Sequence, residues 1–309
     1  MAQALNYAQA YSQALANAFP YALNFGALYA TPNNNRYRWV DAKTIQIPTL
    51  TTTGRVNADR DTIATASRNY DNAWETKTLE NQRKWSTLVH PMDIDQTNMV
   101  ASIANITKTF NEFQKFPEMD AYTISKIYSD WTNTFEMDGN SATSTKHVAD
   151  KTVLSVTNIL SVFDKLMLNM DNKRVPANGR ILYVTHEIKS MLKSADGIQR
   201  QINLQNNNEA LNRQVSRLDE VTIIGVPASL MKTAYVFTTG YAPGESAAQI
   251  NMFLVHPNVV ITPVSYTFSQ LEAPSALSEG KFVYYEESFE DVFILNKQSD
   301  GIQFNITEA

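Results

Sequence analysis

A strand joins a core through an apolar face, and one stretch of this chain has none. Trp74-Glu-Thr-Lys-Thr-Leu-Glu-Asn-Gln-Arg-Lys-Trp85 is extended in character yet polar on both faces, so it gains little by packing on its own body. Upstream, Thr44-Ile-Gln-Ile-Pro-Thr-Leu50 alternates like a strand, with Pro48 suited only to an edge. The tip between them, from Thr51 to Arg60, is polar and turn-rich. At about 3.3 Å per residue, an arm of roughly 15 to 20 residues reaches some 50–65 Å. A chain of this length has a radius of about 20 Å. The pattern predicts a long two-stranded loop that projects onto another subunit.

The flanking segments read differently. Residues 1–35 form an arm in which Leu5, Ala8, Leu15 and Phe19 line a short helix interrupted by Pro20. Asn33-Asn34-Asn35 then makes a polar turn. The arm has too little apolar mass to fold alone and must lie on its own body or on a neighbour. Residues 92–136 are helical. Asp95 or Thr97 is expected to cap a helix carrying Val100, Ile103, Ala104, Ile106 and Phe110. Phe116-Pro117-Glu118 is expected to break it and start a second helix with Tyr122, Ile124, Ile127, Tyr128, Trp131 and Phe135. Asp138-Gly139-Asn140 should end that helix, with a domain boundary before Asp150.

From residue 151 the pattern is α/β. A helix is expected over Leu154 to Leu166, a turn at Asn178-Gly179 and a buried strand at Arg180–Thr185. A helix over Glu187 to Ala195 follows. Further strands are expected at Glu220–Val226, Ala234–Phe237 and Ile250–Val255, then two long ones at Val259–Phe268 and Lys281–Leu295. No internal repeat is present.

Composition narrows the class. The chain of 309 residues is long enough for one sizeable core or two modest ones. It has no cysteine, which rules out disulfides and thiolate metal sites. A net charge of −5 argues against tight sequence-independent nucleic-acid binding. Asn and Thr number 28 and 29, together as many as all Asp, Glu, Lys and Arg. Such side chains hydrogen-bond without the desolvation cost of a charge, which suits surfaces covered by other copies. No run approaches 18 apolar residues, so no membrane helix is expected. No Lys or Arg precedes Arg36, so a signal peptide is not expected and the protein should stay in the cytoplasm where it is made. Asn105-Ile-Thr107 and Asn305-Ile-Thr307 are read as chance matches to the glycosylation pattern.

The search for chemistry turns up little. His90, His147, His186 and His256 lack metal-ligand spacing, and His186-Glu187 lacks the second histidine of a zinc-protease helix. His90-Pro91 and His256-Pro257 look like strand ends. Gly240-Tyr-Ala-Pro-Gly244 lacks the Lys of a phosphate-binding loop and reads as a surface loop. Asp93 and Asp95 read as helix caps. Glu286-Glu287 and Glu290-Asp291 suggest a glycosidase pair, but 286 and 287 point to opposite faces of a strand, so a solvated edge is expected. Arg36, Arg38, Arg55, Arg60 and Arg68 mix with Trp39, Trp74 and Trp85 as in single-strand binders. Asp41, Asp59, Asp61, Asp71 and Glu75 are interleaved with them, and alternating signs suit pairing between subunits better. The expected inter-subunit contacts are Arg55, Asp59, Arg60, Asp61, Arg68, Trp74, Lys77 and Lys84. No catalytic, metal or cofactor site is expected.

The order of arm, projecting loop, helical section, α/β body and long strands resembles the Hong Kong 97-like fold of tailed-bacteriophage major capsid proteins, an α+β fold. Met92-Asp-Ile-Asp-Gln-Thr-Asn98, Ala104-Asn-Ile106, Pro117-Glu-Met-Asp-Ala-Tyr122 and Ser125-Lys126 resemble what such sequences carry between the extended loop and the spine helix. Val175-Pro-Ala-Asn-Gly-Arg-Ile-Leu-Tyr-Val184 resembles the entry to the axial domain, and Ile224-Gly-Val-Pro227 a later strand-to-loop element of it. The resemblance implies an N-arm at 1–39 and an extended β-hairpin loop at 40–90. It implies a peripheral domain with the spine helix at 91–140 and 256–299, and an axial domain at 141–255 and 300–309. It also implies a non-enzymatic shell protein forming hexamers and pentamers of an icosahedral capsid around double-stranded DNA, touched only weakly, in a virion assembled in the host cytoplasm. A portal and decoration proteins are implied partners. The charged N-terminal scaffolding segment of many relatives is missing; Met1 favours a separate scaffolding protein over prior trimming. Some relatives crosslink Lys to Asn, but nothing in the sequence assigns Lys77 or Lys84 a partner. An encapsulin-type compartment shares the fold, and a glycosidase-like enzyme is the alternative of a different class.

Overall fold

The computed structural model describes residues 21–57, 61, 68–97, 101–195, 198 and 215–308. The expected helix at Leu5 to Phe19, and Val100, Asp59 and Arg60, lie outside the described residues. The chain opens with a short helix α1 (Gly26–Tyr29) and a 3-10 turn (Pro32–Asn35). Phe25 and Leu28 are fully buried, so this part of the arm lies on its own body. The asparagine run is a turn as expected, and it is also an anchor. Asn33 donates to the carbonyl of Asn258, and Asn34 Nδ2 donates to Tyr29 O and Thr262 Oγ1, both at 2.9 Å.

Strand β1 (Arg38–Trp39) leads to a hairpin of β2 (Thr44–Thr52) and β3 (Tyr70–Thr78), paired from Thr44↔Thr78 to Thr52↔Tyr70. The chain then crosses to a different sheet. β4 (Gln82–Val89) pairs with a later strand, so Trp85 is not part of the returning arm. Helix α2 (Pro91–Gln96) follows; its cap is His90, whose Nδ1 accepts from Met92 N at 3.2 Å. Asp93 and Asp95 therefore sit inside a helix rather than capping one. Proline pre-sets the helical φ at the first position, which starts α2 earlier than a carboxylate cap would. The next helix, α3 (Ile103–Phe110), is capped by Ser102, not by Asp95 or Thr97.

The break expected at Phe116-Pro117 does not occur. α3 runs through one widened π turn (Asn111–Lys115) into α4 (Phe116–Asn133). Phe116 N–H bonds back five residues to Asn111 O. Pro117 has no N–H to give, and an inserted wide turn lets the helix pass a proline without a sharp stop. Asp138-Gly139-Asn140 does not end this helix either. It is the turn between β5 (Phe135–Asp138) and β6 (Ser141–Lys146), with Gly139 at φ 62°, the left-handed conformation that favours glycine.

In the second half, α5 (Ile159–Asn172) starts later than expected. Asn158 Oδ1 accepts from Ser155 N and its Nδ2 donates to Val153 O, closing residues 153–158 as a loop. β7 (Ile181–Thr185), α6 (His186–Ser194) and β9 (Val221–Val226) form a parallel crossover, with β8 (Arg217–Leu218) beside β9. Gly225 has a close-packing role: a Cβ there would lie 2.9 Å from His186 Nδ1. Short strands β10 (Tyr235–Val236) and β11 (Ala242–Pro243) precede β12 (Gln249–Val255). The long strand expected over Val259–Phe268 splits at Pro263 into β13 (Val260–Ile261) and β14 (Val264–Glu272). Likewise Lys281–Leu295 splits into β15 (Phe282–Glu290) and β16 (Phe293–Ile294), and β17 (Ile302–Thr307) ends the described chain.

Two sheets organise the body. The larger has the order β17-β12-β7-β9-β8. One face presents Tyr183, Phe253 and Phe304 to α4 and the arm; the other presents Leu182, Val184, Ile223 and Leu254 to α5 and α6. Burial on both faces explains why these strands read as continuous apolar runs. The smaller sheet has the order β14-β15-β4. Glu286 and Glu287 are therefore on its central strand, not on a solvated edge.

Candidate assembly surfaces

The hairpin changes character along its length. At its root, Ile45 and Ile47 of β2 pack with Leu79, Phe289, Phe293 and Leu295. Lys77 Nζ lies 3.0 Å from both Asn296 Oδ1 and Glu75 Oε1, and pins β3 to the body. Further out, Asn140 Nδ2 donates to Leu50 O at 2.9 Å. Beyond that the side chains face solvent: Leu50 is 57 % and Val56 91 % exposed. Trp74, 43 % exposed, lies under the guanidinium of Arg38 at 3.9 Å. Arg68 makes its contacts locally, with Asp71 at 3.6 Å and across the Tyr70 ring. Such exposed pairs stabilise the fold little. Arg55 and Asp61 are exposed, and Arg55 has no hydrogen-bond or ion-pair partner among the described residues. Lys84 is not on the hairpin; it is exposed on β4.

A cleft of about 870 Å³ separates the smaller sheet from the α3–α4 helix. Trp85 of β4 stacks on Phe110 of α3 at 3.9 Å. Lys115 pairs with Glu286 at 3.1 Å. Arg83 Nε lies 2.6 Å from Glu118 Oε1, while Nη1 donates to Phe237 O at 2.6 Å. This arginine ties β4, α4 and the 237–240 loop together, so the loop at Gly240 is an anchored element rather than a free one. Asp291 is buried, accepting from Tyr122 Oη at 2.7 Å and Glu80 N at 2.8 Å. Glu290 lines the cleft without a hydrogen bond or ion pair to its carboxylate among the described residues. Desolvation raises its pKa, with Lys115 partly opposing. Asn111 Oδ1, also at the cleft, is buried without a hydrogen-bond partner among the described residues.

The arm is held by Asp120 of α4. Its carboxylate accepts from Tyr21 Oη at 2.5 Å, Asn24 N at 2.8 Å and Phe25 N at 3.1 Å. Burial pushes its pKa up to about 6, with those hydrogen bonds pulling the other way.

The histidines play structural parts. His90 and His256 each accept from the backbone N–H two residues on, where a strand gives way to a helical turn. His147 is buried, stacks on Trp131 at 5.0 Å, and burial lowers its pKa to about 4. Ser299 Oγ at 2.9 Å and Asp300 Oδ1 at 3.7 Å approach the same ring nitrogen, Nε2. A nucleophilic triad needs base and orienter on opposite nitrogens. Glu286 bonds to Lys115 and Tyr284, and Glu287 to Gln82 and Tyr285, on opposite sides of β15. Among the described residues no group of three or more His, Asp or Glu is placed to hold a metal ion, and no helix is long and apolar enough to cross a membrane.

No family model and no curated protein matches the sequence. Solved structures do. The bacteriophage PhiM1 mature capsid matches with a TM-score of 0.68 at 12 % identity, covering 98 % of this chain and 92 % of that one. The capsid of cyanophage P-SCSP1u matches at 0.64 and 12 %, covering 97 % and 92 %. The capsid of an empty GTA particle matches at 0.61 and 13 %, covering 98 % and 95 %. The chain has the phage-capsid fold. At such low identity the backbone plan is shared and the side chains largely are not, so the contacts must be argued from this chain's own residues. Sequence reasoning assigned no role to Arg83, Glu118 and Asp120, and read Glu290 only as part of a carboxylate pair with Asp291. Their partners come only from packing: Arg83 and Glu118 meet where β4 lies against α4, and Asp120 meets the arm at Tyr21, Asn24 and Phe25.

Proposed function

We propose that this chain is a major capsid protein, a structural subunit that self-assembles through hexamers and pentamers into an icosahedral shell enclosing phage double-stranded DNA. The observation that carries this reading is the full-length match to phage capsid structures. The exposed outer hairpin supports it: nine-residue strands with apolar burial at the root alone serve a partner more than the subunit. In this reading residues 1–39 are the N-arm and 40–90 the extended-loop segment, whose projecting part is the β2–β3 hairpin while β4 returns to the smaller sheet. Residues 91–140 with 256–299 are the peripheral domain, and 141–255 with 300–309 the axial domain. The inter-subunit contact set is Arg55, Asp59, Arg60, Asp61, Arg68, Trp74 and Lys84, with Lys77 holding the loop's root. Scaffolding, portal and decoration proteins are further partners, and assembly takes place in the host cytoplasm before the shell becomes part of the virion.

Electron microscopy and light scattering of the purified protein test the proposal. Capsomer rings or closed shells are expected without any cofactor. A strict monomer at high concentration, with crowding agent and scaffolding protein present, would overturn it.

A further inference from the structure

The loop that leads from α5 into β7 is clamped at its feet and open at its tip. Arg180, fully buried, donates from Nε to Pro176 O at 2.9 Å and from Nη2 to Val175 O and Asp171 Oδ1, both at 2.6 Å. Between these anchors Ala177, Asn178 and Gly179 are exposed. Asn178-Gly179 is the one Asn-Gly pair in the sequence. Among the described residues neither the Asn178 side-chain amide nor the Gly179 N–H has a hydrogen-bond partner. Gly179 has φ 89°, in the left-handed region that favours glycine. With no Cβ beside it, the Gly179 nitrogen is open to the neighbouring side chain.

One ring approaches this peptide. A Cβ on Gly179 would lie 3.9 Å from His256 Nε2. Nδ1 of that ring accepts from Asn258 N at 3.3 Å, so the proton of the neutral imidazole sits on Nε2. Burial lowers the pKa of His256, and a hydrogen bond from the ring to the Asn178 backbone works against this. Nε2–H is thus directed at the carbonyl of the Asn178–Gly179 peptide. When that peptide loses its N–H proton, the negative charge falls largely on this oxygen, and a donor bonded to the charged form favours it.

We infer that Asn178-Gly179 is a self-modification site, at which Asn178 cyclises onto the Gly179 nitrogen and is converted to isoaspartate and aspartate. The Gly179 N–H gives up its proton, and a bond from its nitrogen to Asn178 Cγ forms as the Cγ–Nδ2 bond breaks. The side-chain nitrogen leaves as ammonia, carrying that proton. Water then opens the succinimide. Attack at the α-carbonyl leaves the chain running through Cγ as isoaspartate; attack at Cγ gives aspartate. No oxidant or cofactor enters the sequence of steps. Each converted copy gains one carboxylate next to His256, whether or not it is part of a shell.

Mass spectrometry of the purified chain, incubated at mildly alkaline pH, tests the inference. The mass gain of an amide turned to an acid should appear in the peptide holding Asn178 before any other. Hydroxylamine, which cleaves cyclic imides, should split the chain between residues 178 and 179. Asn178→Gln and Gly179→Ala, each checked for folding by circular dichroism, should lose both signals. The contribution of the fold is read by running the parent chain folded and unfolded in urea. Conversion in the folded chain should match or exceed that in the unfolded one. A folded chain that converts more slowly overturns the inference, because the turn then protects Asn178. His256→Gln should slow the reaction of the folded chain and leave the unfolded chain unchanged; an unchanged folded rate overturns the part given to His256. If that variant does not fold, the urea comparison on the parent chain decides alone.

Discussion

The hairpin and the five-stranded sheet are built from the same extended backbone and spend their side chains in opposite ways. Six of the seven residues of β12, Ile250 to Val255, are buried, with Phe253 stacked on Phe304 at 4.7 Å. In β3, no residue from Tyr70 to Thr78 is fully buried. Strand β2 shows the change within nine residues: Ile45 and Ile47 are buried, while Thr49 to Thr52 are not. Pairing alone gives a strand its hydrogen bonds, but burial of apolar surface is what anchors it to a fold. The hairpin beyond Pro48 is thus ordered by backbone pairing and a few polar contacts. Its sequence is free to serve another surface.

The strongest way to break this contrast is to substitute matched aromatics. Phe253→Ala should cost about 3–5 kcal/mol, because the ring is fully buried and its neighbours Phe304, Tyr183 and Phe25 leave little room for collapse. Trp74→Ala, on the exposed hairpin, should cost below about 1 kcal/mol while raising the assembly threshold. Urea unfolding checks both. A large loss from Trp74→Ala would place the outer hairpin in the core.

The arm gives the next effect. Asp120 has its pKa raised from 3.8 to about 6 where the arm covers it. A raised folded-state value means that the contribution is complete below the unfolded value and is lost as pH rises through about 6. Stability should fall by about 2 kcal/mol between pH 4 and pH 7, and Asp120→Asn should flatten that slope. Thermal melts of both proteins across this range are the measurement; equal slopes would remove Asp120 as the source. Lys77→Ala should come third, costing about 1 kcal/mol by releasing Asn296 and Glu75 at the root of the hairpin.

What the sequence made legible follows the same division. The buried strands at 181–185, 221–226 and 249–255 announce themselves, because two-sided burial demands apolar runs. The hairpin is legible for the reverse reason, since strands polar on both faces have nothing in their own core to meet. The helix boundaries were hidden. Pro117 signals a stop, and only the wide turn at Asn111–Lys115 shows how the helix absorbs it. Val259–Phe268 alternates smoothly in sequence, yet Pro263 divides it between two sheets. The eight candidate contact residues separate in the same manner. Lys77 and Arg68 have partners close by, Lys84 is on β4, and Arg55 stands free among the described residues. Charge pattern shows which residues face outward, but the partner of each is a matter of three-dimensional distance.

The smallest expected effect on the fold sharpens the contrast most. Replacing residues 53–69 with a short Gly/Ser turn leaves every paired residue from Thr44 to Thr52 and from Tyr70 to Thr78 in place. It also spares Lys77–Asn296, the Asn140–Leu50 bond and the cluster around Ile45 and Ile47. Shortening the connection between paired strands changes the closure entropy by only about 0.6 kcal/mol per halving of length, in the stabilising direction. The trimmed subunit should therefore melt cooperatively within a few degrees of the parent. Assembly should respond quite differently, because a docking interaction removed from one copy is removed at every position of a shell. A loss of about 1–2 kcal/mol per subunit shifts each association step roughly five- to thirtyfold. Circular dichroism should report a parent-like melt, and negative-stain microscopy should report monomers or small rings. An unfolded product would mean that the tip supports the core after all. Full shells would mean that the exposed hairpin is dispensable for assembly, and either result removes the distinction between the two regions.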